Sequence, residues 1–380
     1  MTADDPVDPG RGFETPIHQA KRDLVEAGEK VRSWLTERDS IKDLIVRDVS
    51  TPDGAGVANE TLLIDAQWSE DGRQVEDGLV VRVAADDSLY LDADIHTQYQ
   101  MYDALAGEPG IPVPKLYGYE PDRSVLGAPF FVMRRVAGTV PADQPYYTEA
   151  GFVADAAPEQ QRSLWQDAIE VMCRLHQVDT AKVAFLNKPD RGVSGLEQDL
   201  DYWLRYWQWS SAGREHPTLD PAAAWLKANL PADRPTSLGW GDARVCNMIF
   251  RDFKCVAVLD WDSVNLAGGE SDLAWWIVME HAGGKPRKQL PGFGTFDEMI
   301  DIWEDRTGLT ARNMRYHIAY ALFRLGVIVR KLNDQMLASG WLPEGTDIAT
   351  NSEVVQQLSL ILDLPPAGPI DVVLPKISRL

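Results

Sequence analysis

The sequence predicts an α+β protein with two lobes: a small antiparallel sheet with one helix, and a larger, mainly helical part. A chain of 380 residues exceeds what one compact core usually holds. Short alternating apolar–polar runs fill the first 136 residues, whereas long segments with helical spacing follow Gly138. We therefore predict a tail and first helix over residues 1–37, a sheet lobe (N-lobe) over 38–136 and a helical lobe (C-lobe) over 137–380.

The predicted N-terminal elements begin after a tail, residues 1–15, that is rich in Pro, Gly and Asp. Apolar residues at helical spacing predict a helix over 17–35. Alternating runs bounded by Gly, Pro or Asp then predict strands over residues 41–49, 61–68, 79–83, 116–120 and 129–136. One helix interrupts these strands, over 91–105, and the Gly- and Pro-rich stretch that follows ends it. The N-lobe is thus predicted to be mostly antiparallel sheet.

The second half of the chain is rich in Leu, Trp and Ala and poor in β-branched runs, which predicts helices. The predicted helices cover residues 158–180, 197–230, 270–284, 295–306 and 310–339. A short β-like island over 238–259 interrupts them. Most tryptophans of this half are expected to pack the lobe, because aromatic side chains bury large areas.

Net charge, apolar stretches and cysteine content argue against several classes of protein. The formal net charge is −21, which is opposite to what a phosphate backbone requires, so we expect no nucleic-acid partner. The longest apolar stretches fall short of the roughly 20 residues of a membrane helix, and residues 1–6 lack the features of a secretion signal. Three cysteines are too few for a disulfide framework. We expect a cytoplasmic protein and assign no oligomeric state.

The β-like island carries the residues with the clearest chemistry. Asp242 is predicted to lie in a loop five positions before Asn247, and a hairpin follows that ends at Asp260. Because a hairpin returns its ends to one place, Asn247 and Asp260 can meet across the strand pair. Their amide and carboxylate oxygens suit Mg²⁺, and Asp242 is placed to accept a hydroxyl proton. A catalytic-loop Asp with an Asn and a second Asp holding metal is the arrangement that kinases build around ATP.

The island resembles the His-Gly-Asp-x-x-x-x-Asn signature of the aminoglycoside phosphotransferase and choline-kinase-like family. Residues 259–262, Leu-Asp-Trp-Asp, resemble the metal-binding segment of that family, and residues 272–275, Asp-Leu-Ala-Trp, resemble its Asp-Leu-Ala motif. The resemblance implies a bilobal protein-kinase-like fold. It also implies that Asp242 is the general base or the residue that orients the substrate, that Asn247 and Asp260 are Mg²⁺ ligands, and that Asp272 supports the catalytic-loop backbone.

The N-lobe contains candidates for binding ATP. Gly54, Gly56 and Asn59 lie between two predicted strands, where glycines let backbone amides approach phosphate oxygens; a plain hairpin turn is the alternative interpretation. Arg82 is a lone charge in an apolar strand and therefore needs a partner, for which a nucleotide phosphate is suitable. By the resemblance, Arg82 is the basic residue that contacts phosphate.

Residues 130–136, Phe-Phe-Val-Met-Arg-Arg-Val, are predicted to lead from the sheet into the hinge between the lobes. Backbone groups from Met133 to Val136 would then contact the edge of the adenine ring. This assignment follows from the resemblance.

The sequence departs from the family pattern at three places. Trp240 replaces the His of the signature, and we expect it to brace the loop. Gln98 stands where the family has a Glu that pairs with the strand base, and an amide cannot neutralise Arg82. Residues 267–269, Ala-Gly-Gly, replace Gly-Asp-Pro. These departures keep a second interpretation open, a catalytically weak pseudokinase that binds a nucleotide or a partner.

The predicted function is ATP- and Mg²⁺-dependent phosphorylation of a small-molecule hydroxyl. Zinc ligand spacing and a Gly-x-Ser-x-Gly motif are both missing from the sequence, which argues against the common hydrolases. The acceptor is open between an aminoglycoside and a hydroxylated metabolite, since some family members are associated with acyl-CoA breakdown. Asp262 and Glu280 are candidates for facing a cationic acceptor, with solvated surface acids as the alternative.

Overall fold

The computed structural model describes residues 22–38, 41–52, 59–85, 88–232 and 236–380. The predicted tail over 1–15 lies outside the described residues, as do Gly54 and Gly56 of the predicted phosphate loop. Asn59, the third candidate of that loop, is the first residue of a strand.

An antiparallel sheet builds the N-lobe. Its strands are β1 (Lys42–Ser50), β2 (Asn59–Glu70), β3 (Arg73–Ala84), β4 (Leu116–Glu120) and β5 (Phe130–Arg134). Within the described residues their order is β1-β2-β3-β5-β4, and every neighbouring pair is antiparallel. The predicted sheet is thereby confirmed. Strands β2 and β3 are longer than predicted, because a tight turn at Asp71 and Gly72, both with positive φ, joins them directly.

The N-lobe also contains helices α1 (Leu24–Thr36), α2 (Ile95–Leu105) and the single turn α3 (Arg123–Leu126). Helix α2 begins four residues later than predicted because the side chain of Asp94 caps it, accepting a hydrogen bond from the His96 amide (2.9 Å). The turn α3 was not predicted, since four residues are too few to show helical spacing.

The C-lobe is mainly helical. Its helices are α4 (Pro158–Leu175), α5 (Gly195–Ser211), α6 (Leu219–Ala228), α7 (Gly269–Glu280), α8 (Phe296–Thr307), α9 (Met314–Ala338) and α10 (Glu353–Leu362). The prediction of one helix over 197–230 is wrong, because Ala212 and Gly213 adopt positive φ and end α5. Helix α10 was not predicted; it is short and packs against α9. None of the helices in the described part of the chain has the length and apolarity that crossing a bilayer requires.

The buried apolar side chains of the described residues form two clusters. One lies within the N-lobe, between one face of the sheet, α1 and α3, and includes Val81 and Phe130. The other begins on the opposite face of the sheet, with Val80 and Phe131, and continues through α2 into the C-lobe. Successive strand residues point to opposite faces, which is why neighbours in sequence belong to different clusters. One face of the sheet therefore shares its core with the helical lobe.

Candidate active site

The segment from Gly239 to Asp260 forms the centre of the candidate site. A 3-10 turn, Val245–Asn247, leads into β6 (Met248–Arg251), and β7 (Lys254–Val258) returns antiparallel to it. The Leu259 amide donates a hydrogen bond to the Asn247 carbonyl oxygen (2.9 Å). The hairpin thus brings Asn247 beside the residue that precedes Asp260. Asn247 itself is the last residue of the turn and lies one residue before β6.

The Asp242 carboxylate is held in one orientation by its neighbours. Its Oδ2 accepts a hydrogen bond from Asn247 Nδ2 (2.7 Å), and its Oδ1 accepts one from Trp275 Nε1 (2.6 Å). Asn247 Nδ2 also donates to the main-chain oxygen of Asp242 (2.9 Å). Because the Asn247 amide nitrogen is bound to Asp242, its side-chain oxygen is the atom suited to meet a cation.

Arg244 joins the catalytic loop to the segment between the lobes. Its Nε lies 3.3 Å from Asp242, and its Nη1 donates to both carboxylate oxygens of Asp143 (2.7 and 2.9 Å). Burial disfavours the charged guanidinium, but the carboxylates of Asp242 and Asp143 outweigh this effect, so the pKa of Arg244 lies well above its ordinary value. Arg244 therefore remains a cation beside Asp242.

Asp272, at the start of α7, braces the backbone of the loop. Its Oδ2 accepts from the Trp240 amide (2.6 Å) and its Oδ1 from the Gly241 amide (2.8 Å). His176 Nε2 lies 2.9 Å from Asp272 Oδ2, and Trp303 Nε1 donates to His176 Nδ1 (2.8 Å). Since Nδ1 is an acceptor, the His176 ring carries its proton on Nε2 and donates to Asp272. The buried carboxylate is thus fully engaged in holding the loop.

Gly241 and Arg324 set the shape of the same loop. Gly241 has φ +89°, and a Cβ atom at this position would collide with the carbonyl oxygen of Ser263. Arg324 Nη2 donates to the Gly241 carbonyl oxygen (2.8 Å), and its guanidinium lies 4.4 Å from the centroid of the Trp275 ring. Both peptide groups that flank Gly241 are therefore anchored from the C-lobe core.

Trp240 stands at the position of the signature His and is fully buried. Its indole Nε1 donates to the carbonyl oxygens of Leu259 (2.9 Å) and Asp260 (3.1 Å). The aromatic side chain therefore ties the catalytic loop to the end of the hairpin. This contact is consistent with the bracing role expected from the sequence.

Asp260 lies at the end of the hairpin in the left-handed conformation, with φ +62°, which Asp adopts more readily than most residues. Burial raises the pKa of the Asp260 carboxyl above its ordinary value; the Asp242 carboxylate adds to the rise, and Arg82 and Arg244 oppose it. The Asp260 carboxyl thus interacts with the Asp242 carboxylate, to which Asn247 is bonded. A cation would offset the repulsion, so these oxygen donors fit Mg²⁺.

Arg82, in β3, pairs with an acid of the C-lobe. Its Nη2 lies 3.5 Å from Asp262 Oδ2, and its Nη1 donates to Thr61 Oγ1 (2.9 Å). Asp262 Oδ1 accepts hydrogen bonds from Asn59 Nδ2 (2.9 Å) and from Gln98 Nε2. Gln98 and Arg82 thus both converge on Asp262.

The two candidate acceptor-facing acids lie in different surroundings. The Asp262 side chain is 6% exposed and lies against the N-lobe; burial and the neighbouring Asp260 carboxylate raise its pKa, and Arg82 opposes the rise. Glu280, at the end of α7, accepts a hydrogen bond from Tyr147 Oη. Burial raises the pKa of Glu280, and hydrogen bonds from Tyr147 and Tyr146 oppose this rise. Neither acid is a solvated surface group.

The predicted hinge follows β5. Met133 is buried near the end of this strand and Val136 is half-buried beyond it. Thr139 then exchanges two backbone hydrogen bonds with Phe250 of the hairpin (2.8 and 2.9 Å). Gly138 makes this approach possible, because a Cβ atom there would lie 2.6 Å from the Phe250 carbonyl oxygen. The chain between the lobes thus passes directly alongside the hairpin; the contact of Met133–Val136 with adenine stays a prediction.

Sequence reasoning assigned no role to Trp275, Arg244, His176 or Arg324. For Arg324 a signal existed: it is a lone charge within the apolar run Ile318–Ile328, as Arg82 is in its strand. Apart from the contact of Arg244 with nearby Asp242, the contacts of the other three depend on how distant segments pack together, and local sequence does not encode them.

Comparison with known proteins identifies the family of the chain. The model of the phosphotransferase enzyme family (APH) matches residues 60–301. Rat acyl-CoA dehydrogenase family member 11 is 26% identical over 257 residues, which cover 64% of this chain and 32% of that protein. The chain thus spans about a third of the length of that relative.

Solved structures give the same result for the fold. A candidate aminoglycoside phosphotransferase from Ralstonia eutropha aligns with a TM-score of 0.63 and 21% identity, over 88% of this chain and 95% of that one. A thermostable mutant of aminoglycoside phosphotransferase APH(4)-Ia, in complex with AMP-PNP and hygromycin B, aligns with a TM-score of 0.50 and 14% identity, over 88% and 98%. The two-lobed fold and the matched family model agree, and the chain belongs to the phosphotransferase enzyme family.

Proposed function

We propose that the chain transfers the γ-phosphoryl group of ATP, in the presence of Mg²⁺, to a hydroxyl group of a small molecule. One observation carries the proposal: a single loop and hairpin gather Asp242, Asn247 and Asp260 where the C-lobe meets the sheet. Arg82 reaches the same place from the N-lobe through its contact with Asp262, two residues beyond Asp260.

Each residue has a defined part in the proposed reaction. Asp242, oriented by Asn247 and Trp275, accepts the proton of the acceptor hydroxyl as its oxygen bonds to phosphorus and ADP leaves. Arg244 lies beside this acid and Arg82 contacts Asp262; both cations would balance phosphate charge. The chain contributes chiefly position and charge, because phosphoryl transfer requires little covalent help.

The side-chain oxygens of Asn247 and Asp260 would hold Mg²⁺. When bound, the ion neutralises charge on the triphosphate. The raised pKa of Asp260 supports this assignment, since a carboxylate that is crowded by another carboxylate is stabilised by a cation. ATP as the donor is supported by the family and by the AMP-PNP complex of a structural neighbour.

The acceptor is proposed to be a hydroxylated small molecule. Two classes of compound are candidates. The first is the aminoglycosides, because a structural neighbour binds hygromycin B. The second is hydroxylated acyl-CoA thioesters, because a relative of the chain is named as an acyl-CoA dehydrogenase family member. Half-buried Glu280 lies at the end of α7, the helix that also carries Trp275, and is with its tyrosine partners the candidate acceptor contact.

The test is ADP release by the purified chain with ATP and Mg²⁺ against a panel of acceptors. The panel contains aminoglycosides, polyols and hydroxylated acyl-CoA thioesters, with mass spectrometry of any phosphorylated product. We expect at least one acceptor to stimulate ADP release severalfold over water, and omission of Mg²⁺ to abolish it. D252N, in the exposed hairpin turn, is a control that leaves the proposed site intact.

The pseudokinase interpretation predicts a different outcome. Trp240 and Gln98 favour it, because both depart from the family pattern. A chain that gains thermal stability with ADP but releases none from ATP with any acceptor would support a nucleotide-binding module and contradict the proposed kinase.

A further inference from the structure

Asp262 makes an unusual set of contacts between the lobes. This C-lobe residue follows β7 and the candidate metal ligand Asp260, yet its carboxylate meets three N-lobe side chains. Asn59 of β2 and Gln98 of α2 donate to Oδ1, and Arg82 of β3 faces Oδ2. The Asp262 side chain is 6% exposed and that of Arg82 is 19% exposed, so water screens the pair weakly.

The two carboxylate oxygens of Asp262 have different kinds of partner. Two neutral amides orient Oδ1, which leaves Oδ2 for the guanidinium of Arg82. Arg82 is also bound on its other side by the Thr61 hydroxyl. A long, flexible side chain that is held on both sides has its charged end fixed in position before any ligand binds.

Helix α2 offers no acid to Arg82, because its one carboxylate, Asp103, lies on its exposed face. Gln98 is its buried polar residue at this place, and an amide can hydrogen-bond but cannot supply negative charge. In the described residues, the counter-charge that contacts Arg82 comes from the C-lobe instead. The carboxylate therefore stands on the C-lobe side of this contact, and the amide of Gln98 stands on the α2 side.

We propose that Asp262 is the positioning residue of Arg82: it supplies from the C-lobe the counter-charge that α2 lacks, and so places the cation for the phosphates of the nucleotide. This inference rests on the proposed function, because it assumes that a nucleotide binds between the lobes. The position of Arg82 then depends on how the N-lobe sheet packs against the β6–β7 hairpin and the residues that follow it, rather than on the position of α2.

The experiment compares D262N, Q98E and the exchange variant D262N/Q98E by titration with ADP, in Mg²⁺ and in EDTA. D262N is expected to weaken ADP binding about tenfold in both conditions, the order of one charge-assisted hydrogen bond. Q98E alone crowds two carboxylates and is also expected to weaken binding. The exchange variant restores one carboxylate and one amide to the cluster, so its affinity should return to within about threefold of the wild type. D43N, on exposed β1, is the matched control.

Three results would overturn the inference. Loss of ADP affinity in D262N that occurs only with Mg²⁺, without recovery in the exchange variant, would make Asp262 a residue that acts on the metal. Unchanged ADP affinity in D262N with a raised KM for the acceptor would place Asp262 at the acceptor. If D262N alone does not fold, the exchange variant decides: affinity near the wild type supports the inference, and loss of binding or of folding contradicts it.

The outcome is separable from that of the proposed function. ADP binding needs no acceptor, so a wild-type chain that binds ADP without turnover contradicts the kinase activity while the role of Asp262 is still measured. Failure of the exchange variant beside an active wild type contradicts this inference alone.

Discussion

The two sides of the candidate site are built in different ways. On the catalytic-loop side, Asp242 and Asp272 are each held by several hydrogen bonds, and every partner belongs to the C-lobe. On the nucleotide side, Arg82 is held by one hydroxyl of its own sheet and by an acid of the other lobe. The first arrangement is fixed by one core, whereas the second exists only when both lobes are assembled. We infer that the loop around Asp242 is preformed and that the position of Arg82, the proposed phosphate contact, depends on the contact between the lobes.

The sharpest test of the catalytic-loop side is D242A. We expect turnover to fall by about 10²–10⁴, the usual contribution of a positioned acid or base, because the acceptor hydroxyl loses its proton acceptor. ADP binding, measured by calorimetry, should be retained, since Asp242 is not the proposed phosphate contact. Activity near that of the wild type in a folded D242A variant would remove this residue from the mechanism, and D252N serves as its control.

The claim that Asp272 braces the loop can be tested by D272N. In this variant an NH₂ group replaces one oxygen of the Asp272 carboxylate. The new donor then faces an N–H group of Trp240, Gly241 or His176. We expect the free energy of unfolding to fall by about 1–3 kcal/mol, the cost of a buried donor without an acceptor. Urea denaturation measures this change, and D305N, at an exposed position of α8, is the control. Equal stability of D272N and the wild type would show that the loop does not depend on this carboxylate.

The nucleotide side is tested by R82Q. Loss of the charge that faces the phosphates should raise the KM for ATP by about 10- to 100-fold, the range of charge-assisted hydrogen bonds. The KM for the acceptor should change little. Steady-state kinetics measures both constants, and R47Q, whose arginine bonds Gln67 at the exposed side of the sheet, is the control. An unchanged KM for ATP would separate Arg82 from the nucleotide.

The smallest expected effect concerns pH and Glu280, at the acceptor end of α7. Burial raises the pKa of Glu280 in the folded chain above its unfolded value, so the folded state binds more protons between these two values. Stability contributed by this group is therefore present below the unfolded pKa of about 4.5 and is lost as the pH rises through the folded pKa. We expect E280Q to unfold with a weaker dependence on pH above 4.5 than the wild type. Parallel urea midpoints for both proteins would contradict this.

Much of the fold and the catalytic-loop side could be predicted from sequence because the signals are local. The alternating strands, the hairpin and the spacing of Asp242 and Asn247 each lie within a few residues of one another. The partners of Asp262 could not be predicted, because Asn59, Gln98 and Asp262 lie on separate elements that meet only when the lobes pack. The break after α5 did have a local signal, because Gly213 and Pro217 both lie within residues 197–230 and a proline breaks a helix interior.

The two lobes share one apolar core, which begins with Val80 and Phe131 and continues into the helices. Cutting the chain between the lobes would therefore divide this core. A fragment cut after β5 would present a bare apolar sheet face to water and would tend to aggregate. Neither half can therefore be studied as an isolated module. Heating should melt both halves in one cooperative step rather than in sequence.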